Sequence, residues 1–379
     1  MNGLHGTNIM KRLGIRNKLT ILFFLIAFIM LWVSGISPKG IVWSAYWPVI
    51  FVLQLLIITT PWRSVPLKLP LKFFLIGMSI VPAVTFLAQH LLYNLIYSTP
   101  LHHFFTSDTV LGNIDLMAPV VAPITEEILK VLPVVVFFCL GRNLSWRRIT
   151  GPLDVMLLAA ASGAGFNFIE NICRVTDNYW TNLGPDTVAL HASLHIGPFY
   201  LFPDMIASDM YGVPTVWFGH AELTACIGLA MGLGFYIRKY FKPWWLIPLF
   251  VLFWAIWDHF LVNYLGPEPA QLWARTLPAF DFYGYLLPYF FLGGFFLALY
   301  MTIKTQKWYI QKDRLSALKI NILKKPQKLI HFFSFLRLRL LAAHGLRDFN
   351  LDQPDKAISR ASWVWALREQ MILKKMKLE

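Results

Sequence analysis

The chain is short of charge and shorter still of cysteine. Only 14% of its 379 residues are Asp, Glu, Lys or Arg, where a soluble domain carries about 25%. That excludes an ordinary water-facing globular surface. Cys139, Cys173 and Cys226 are the three cysteines and show no CxxC spacing, which rules out a disulfide framework and a thiolate zinc site. There is no Walker loop, no dinucleotide fingerprint, no GxSxG elbow, no HExxH pair and no internal repeat. Nucleotide binding, elbow-type serine catalysis and zincin chemistry therefore lack their usual marks. Acids are scarce too, 20 against 34 Lys and Arg, a net charge of +14. The excess lies between apolar blocks and in the C-terminal tail, where the positive-inside rule places it, so nucleic acid is not an expected partner.

What the chain has in plenty is apolar length. Hydrophobic residues make up 57% of it. Eight blocks approach the roughly 20 residues that cross a bilayer: Leu19–Ile36, Ile41–Thr60, Leu71–Tyr97, Asp115–Leu140, Pro152–Ile172, Pro214–Ile237, Trp244–Leu265 and Ala279–Ile303. The expected fold is an all-α polytopic transmembrane helix bundle. Pro82, Pro119, Pro123 and Pro133 are expected to kink the third and fourth spans. Residues 1–18 form a cytoplasmic N-terminus, 19–303 the bundle, and 304–379 a basic cytoplasmic tail with 17 Lys and Arg against 6 Asp and Glu. Leu329–Leu346 mixes Phe, Leu and Arg and reads as an interfacial helix on anionic lipid. The first span, with a basic flank and no A-x-A site, reads as an uncleaved anchor.

Loop charges support the count. Bases cluster before the first span (Lys11, Arg12, Arg16, Lys18) and in the second (Arg63, Lys68), fourth (Arg142, Arg147, Arg148) and sixth (Arg238, Lys239, Lys242) loops. The odd loops hold Lys39, none, Arg174 and Arg275. This alternation puts both termini in the cytoplasm. The fifth loop, Cys173–Val213, then lies outside. It is long enough to act as a lid or wall, and its aromatic stretch Pro198–Pro203 is placed to dip into the interface.

Ionisable residues inside the blocks are the informative exceptions, because a charge near a bilayer centre costs several kcal/mol or more. The fourth span carries Glu126, Glu127 and Lys130; the fifth, Glu170; the sixth, His220; the seventh, His259 and Asn263. Counting from the span ends puts Glu126 roughly 17 Å below the outer surface and the rest in the same outer half. That convergence points to a polar cavity open to the outside. Lys130 can pair with Glu126 at i, i+4, and a structural pair is the plain alternative to catalysis. Phe166 shares a face with Glu170, after the small-residue run Ala159–Gly165 that permits close helix contact. Glu222 and Asp258 adjoin the histidines and can orient them or simply pair. His191 and His195 repeat an HxxxH spacing but read as solvated loop residues. Two chemistries stay open. A glutamate can deprotonate a water while His and Asn stabilise the oxyanion, or Glu127, His220 and His259 can hold a metal such as zinc.

These motifs resemble a known family. Glu126-Glu127-x-x-Lys130, Phe166-x-x-x-Glu170, His220 with Gly228 eight residues on, and His259-x-x-x-Asn263 follow the order and spacing of the PrsW intramembrane proteases over about Leu71–Ile303. The related CAAX-prenyl endopeptidase and bacteriocin-processing group has FxxxH where this chain has Phe166-x-x-x-Glu170. The resemblance implies a protease of the bacterial cell membrane. It would cut membrane-anchored substrates such as an anti-sigma factor, with Glu126 and Glu127 as its central pair. Two rival classes remain: a proton- or cation-coupled transporter, recognised by solute flux lost with the carboxylates, and a non-catalytic membrane scaffold. The absence of a two-fold repeat counts against the first, and the complete motif set against the second.

Overall fold

The computed structural model describes residues 38–60, 62–63, 65, 67–99, 117–140, 151–176, 195–196, 199–200, 206–210, 213–238, 240–264 and 278–312. The first expected span and the tail beyond 312, including the expected interfacial helix, lie outside the described residues. Seven α-helices carry the described fold: α1 Pro38–Thr59, α2 Lys68–Tyr97, α3 Ala122–Leu140, α4 Pro152–Thr176, α5 His220–Ile237, α6 Leu246–Tyr264 and α7 Leu286–Lys312. They answer in order to the second to eighth expected spans. Five (α2, α4, α5, α6 and α7) contain a stretch long and apolar enough to cross a membrane, and α1 contributes the shorter apolar stretch Pro48–Thr59. α3 is 19 residues long and greasy elsewhere, but it holds Glu126, Glu127 and Lys130.

Three starts differ from expectation. The fourth span opens with a π-helical turn, Met117–Val121, before α3. Pro123 then sits in the first turn of α3, where its missing N–H costs no helical bond. The sixth span begins not at Pro214 but at His220, because Val213–Trp217 is a strand. β-Branched Val213, Thr215 and Val216 favour extension, and Gly219 enters α5 with an extended backbone (φ −70°, ψ 167°). The eighth span opens with a 3₁₀ turn, Pro278–Gly284, ended by Gly284 at φ 82°. Within the fifth loop two antiparallel hairpins pair His195–Ile196 with Phe199–Tyr200 (β1, β2) and Ile206–Met210 with Val213–Trp217 (β3, β4). The bundle is thus helical, with short strands confined to that loop among the described residues.

α4 is the central post. Every residue of its membrane-length window is buried, and it packs chiefly on α5, α2 and α1. Small residues allow this. Gly165 and Gly77 lie where α2 and α4 backbones meet: an added Cβ at either would strike backbone atoms of Phe74 or Ser162. On the α5 side, a Cβ at Gly163 would lie 2.7 Å from the His220 carbonyl oxygen, and one at Gly228 would meet Ala159. Without an apolar driving force between helices in lipid, such backbone approach supplies the packing. Asp154 ties the opposite end: its carboxylate accepts Gly151 N–H at 2.9 Å and Val65 N–H at 3.1 Å. It caps α4 and anchors the loop between α1 and α2. Several hydroxyls inside the helices bond backward to the preceding turn, as Thr59 does to the Leu55 carbonyl at 2.6 Å, which satisfies the donor within its own helix. Large apolar side chains stand outward instead, among them Phe86, Leu91, Phe250 and Phe253. Such a surface suits lipid rather than water.

Gly228→Val should destabilise the bundle by about 1–3 kcal/mol through overpacking. Gly293→Ala, which meets nothing within 4 Å, should leave the thermal midpoint in detergent unchanged. Melting of the two variants beside wild type checks both.

Candidate active site

The four helices α3 to α6 alternate in direction, so the start of α3, the end of α4, the start of α5 and the end of α6 fall together at one end of the bundle. Each brings an ionisable side chain. Glu127, fully buried on α3, is the centre. Its Oε1 accepts from Lys130 Nζ at 2.5 Å, one turn along the same helix, and from His259 Nδ1 at 2.9 Å across from α6. His220 Nδ1 approaches the same oxygen at 3.7 Å. Glu127 Oε2 is buried and makes no hydrogen bond.

Lys130 is equally buried. Its ammonium also donates to His220 Nδ1 at 2.5 Å and lies 5.0 Å from the centre of the Phe166 ring. A lysine in so apolar a place is tenable only with partners on every side; a carboxylate, an imidazole and a π face provide them. The expected partner was Glu126, but its Oε2 is 3.9 Å away and the close contact is with Glu127. The i, i+3 pair wins over i, i+4 because Glu127 points into the bundle.

With Nδ1 accepting from Lys130, the consistent tautomer of His220 carries its proton on Nε2, which lies 2.5 Å from Glu170 Oε2. The Phe166 ring meets His220 edge-on at 5.6 Å between centroids, so the Phe166-x-x-x-Glu170 spacing puts packing and charge on one imidazole. His220 and His259 lie 4.8 Å apart, edge to face. His259 donates through Nδ1, which leaves its Nε2 as a bare lone pair 3.9 Å from Glu126 Oε2.

Six of the expected residues thus come together: Glu126, Glu127, Lys130, Glu170, His220 and His259, with Phe166 against them. Gly228 lies two turns deeper on α5, in the contact with α4. Asn263 is half-buried one turn beyond His259. The expected depth changes, since His220 opens α5 and Glu126 is the fifth residue of α3. The site is nearer one end of the helices than mid-span.

One candidate donor set for a metal stands among the described residues. Glu126, His220 and His259 each bring a ligand atom within 4.8 Å of the others, all three buried. The set expected from sequence had Glu127 in place of Glu126. Each glutamate has one engaged oxygen, Glu127 Oε1 by Lys130 and His259 and Glu126 Oε1 by Gln89, and one buried oxygen without a hydrogen bond. Two imidazoles and a carboxylate suit a catalytic zinc-type ion, which leaves a further position for water. Two contacts had no signal in the motif spacing. Gln89 on α2 donates to Glu126 Oε1 at 3.1 Å, and Ser162 on α4 donates to the Lys130 carbonyl at 2.7 Å. His195 lies in β1; His191 is outside the described residues.

A family model described as "PrsW family intramembrane metalloprotease" matches residues 65–293, a stretch that includes every residue of this site. No curated protein and no solved structure matches the chain.

Lys130→Met should destabilise the protein by about 3–5 kcal/mol, because it strands the buried Glu127 carboxylate. The double variant Glu127→Gln/Lys130→Met should recover most of that loss in a detergent melt. No recovery would mean that Lys130 is held mainly by its other neighbours.

Proposed function

The chain belongs to the PrsW family of intramembrane metalloproteases, and from that membership we propose that it is an endopeptidase acting where α3, α4, α5 and α6 converge. Its substrates are membrane-anchored proteins, of which an anti-sigma factor is the class the family resemblance implies. The loop charges favour cytoplasmic termini and a site opening to the outside, and the family resemblance implies the bacterial inner membrane. One observation carries the reading: a fully buried carboxylate, Glu127, with one oxygen clamped by Lys130 and His259 and the other left without a hydrogen bond.

Clamping Oε1 fixes the carboxylate plane, so Oε2 keeps one direction. In a site from which bulk water is excluded, that oxygen is the acceptor for the proton of a water attacking the scissile carbonyl. Lys130 balances the charge of the carboxylate before the reaction. The pair is preorganised because Phe166 and Ser162 fix the lysine from other sides. Glu126, His220 and His259 would hold a zinc-type ion, which when bound supplies a Lewis acid for the carbonyl oxygen and lowers the pKa of water. Glu170 then orients His220 through Nε2, as carboxylates do behind ligating histidines, and the Nδ1 lone pair that Lys130 engages would pass to the ion. The proton that Glu127 Oε2 takes from the water is the one it then returns to the leaving amine, so the base is restored at the end of the cycle; Glu170, whose side chain is 21% exposed, holds His220 throughout. Asn263, one turn from His259, is assigned to the substrate or oxyanion.

Glu127→Gln should lower kcat about 10²–10⁴-fold, the usual worth of a general base, in protein that keeps its metal but melts lower, because the substitution leaves the buried Lys130 ammonium short of its carboxylate. Glu126→Gln and His259→Ala should lose both metal and activity. Elemental analysis of the purified variants, beside cleavage of a membrane-anchored substrate in micelles, reads these outcomes. An unchanged rate in Glu127→Gln would overturn the assignment. Loss of metal in Glu127→Gln alone would return that residue to the ligand set.

A further inference from the structure

Gln89 is a polar residue on the inner face of an apolar helix. Val81, Thr85 and Gln89 recur at i, i+4, i+8, so they share one side of α2. That side turns inward: Val81 and Thr85 are 3% and 2% exposed. Phe86, Leu87, Leu91 and Leu95 stand outward on the other side. A primary amide inside such a helix is costly unless it is bonded. The bond it makes runs to another helix: Nε2 donates to Glu126 Oε1 at 3.1 Å.

That choice of oxygen matters. With Oε1 occupied by Gln89, the carboxylate has one oxygen left, and Oε2 lies 3.9 Å from both His259 Nε2 and Lys130 Nζ with no hydrogen bond of its own. Glu126 sits near the start of α3, whose helical neighbours Ile124 and Ile128 are exposed. Glu126 itself is 7% exposed, and its three rotatable bonds still allow either carboxylate oxygen to be presented to the site. The amide removes that freedom.

We propose that Gln89 is a positioning residue that presents Glu126 Oε2, rather than Oε1, to the ion shared with His220 and His259. This rests on the metal-holding trio proposed above. The chemistry is that of a carboxylate ligand held by a hydrogen bond from behind, whose loss typically weakens metal binding 10–100-fold. A role in joining α2 to α3 would instead change the stability of the metal-free protein and leave metal affinity alone.

The test uses the full chain in detergent micelles. Zinc affinity is measured by chelator competition for wild type, Gln89→Leu, Thr85→Val and His259→Ala, with thermal melts of each zinc-free protein. Thr85 is one turn away on the same face, and its buried hydroxyl makes no hydrogen bond, so Thr85→Val changes that face without touching Glu126. The expected result is zinc binding roughly 10–100-fold weaker in Gln89→Leu, unchanged in Thr85→Val and lost in His259→Ala, with the zinc-free midpoint of Gln89→Leu kept. Wild-type affinity in Gln89→Leu, with binding lost in His259→Ala, would overturn the role of Gln89 and leave the trio standing. Equal weakening in Thr85→Val would assign the effect to packing of α2 and overturn it as well. No zinc binding by wild type would overturn the trio and the inference with it.

Discussion

The Glu127–Lys130 pair is the constraint on which the site depends. Both groups are buried completely, and each ion costs several kcal/mol to take out of water. Such a pair persists only if every helix around it supplies a compensating atom. α5 brings a ring nitrogen to the lysine, α6 brings an N–H to the glutamate, and α4 brings a π face to the ammonium. The arrangement is cooperative: moving any one helix leaves a buried charge short of a partner. Charge burial thereby specifies helix register at this end of the bundle.

α4 makes that register attainable. Its Ala159–Gly165 run carries almost no side-chain bulk, so α2 and α5 can approach its backbone from opposite sides. The same stretch ends in Phe166 and Glu170, the residues that meet His220. Close packing and chemistry are therefore consecutive on one helix. At the other end, Asp154 performs the matching task for the loop between α1 and α2. A post held at both ends lets α3 and α6 bring their reactive residues against it with little freedom.

Much of this was legible in the residues. Glu126, Glu127, Lys130, Glu170, His220 and His259 are conspicuous because polar groups in apolar blocks are expensive. Counting along the blocks at 1.5 Å per residue put them toward one end of the bundle, although the mid-membrane depth expected for Glu126 was not kept. Gln89 was not legible: a lone glutamine in a long apolar block carries no spacing motif, and its partner is 37 positions away. The start of α5 was misjudged for a related reason. Val213–Trp217 is as apolar as the helix it precedes, and hydropathy does not separate a greasy strand from a greasy helix.

The sequence by itself determined that this is a helical membrane protein and which residues could do chemistry in it. Those are matters of transfer free energy, summed along the chain and indifferent to who meets whom. Tertiary structure decided the pairings. It set Lys130 at 2.5 Å from Glu127 and 3.9 Å from Glu126, let Glu127 accept from His259, left one Glu126 oxygen facing the same histidine at 3.9 Å, and found Gln89 for the other. Adjacent glutamates diverge by about 100° around a helix, and only the positions of the neighbouring helices settle that Glu127 takes the close contacts with the lysine and His259 while Glu126 takes the amide of Gln89.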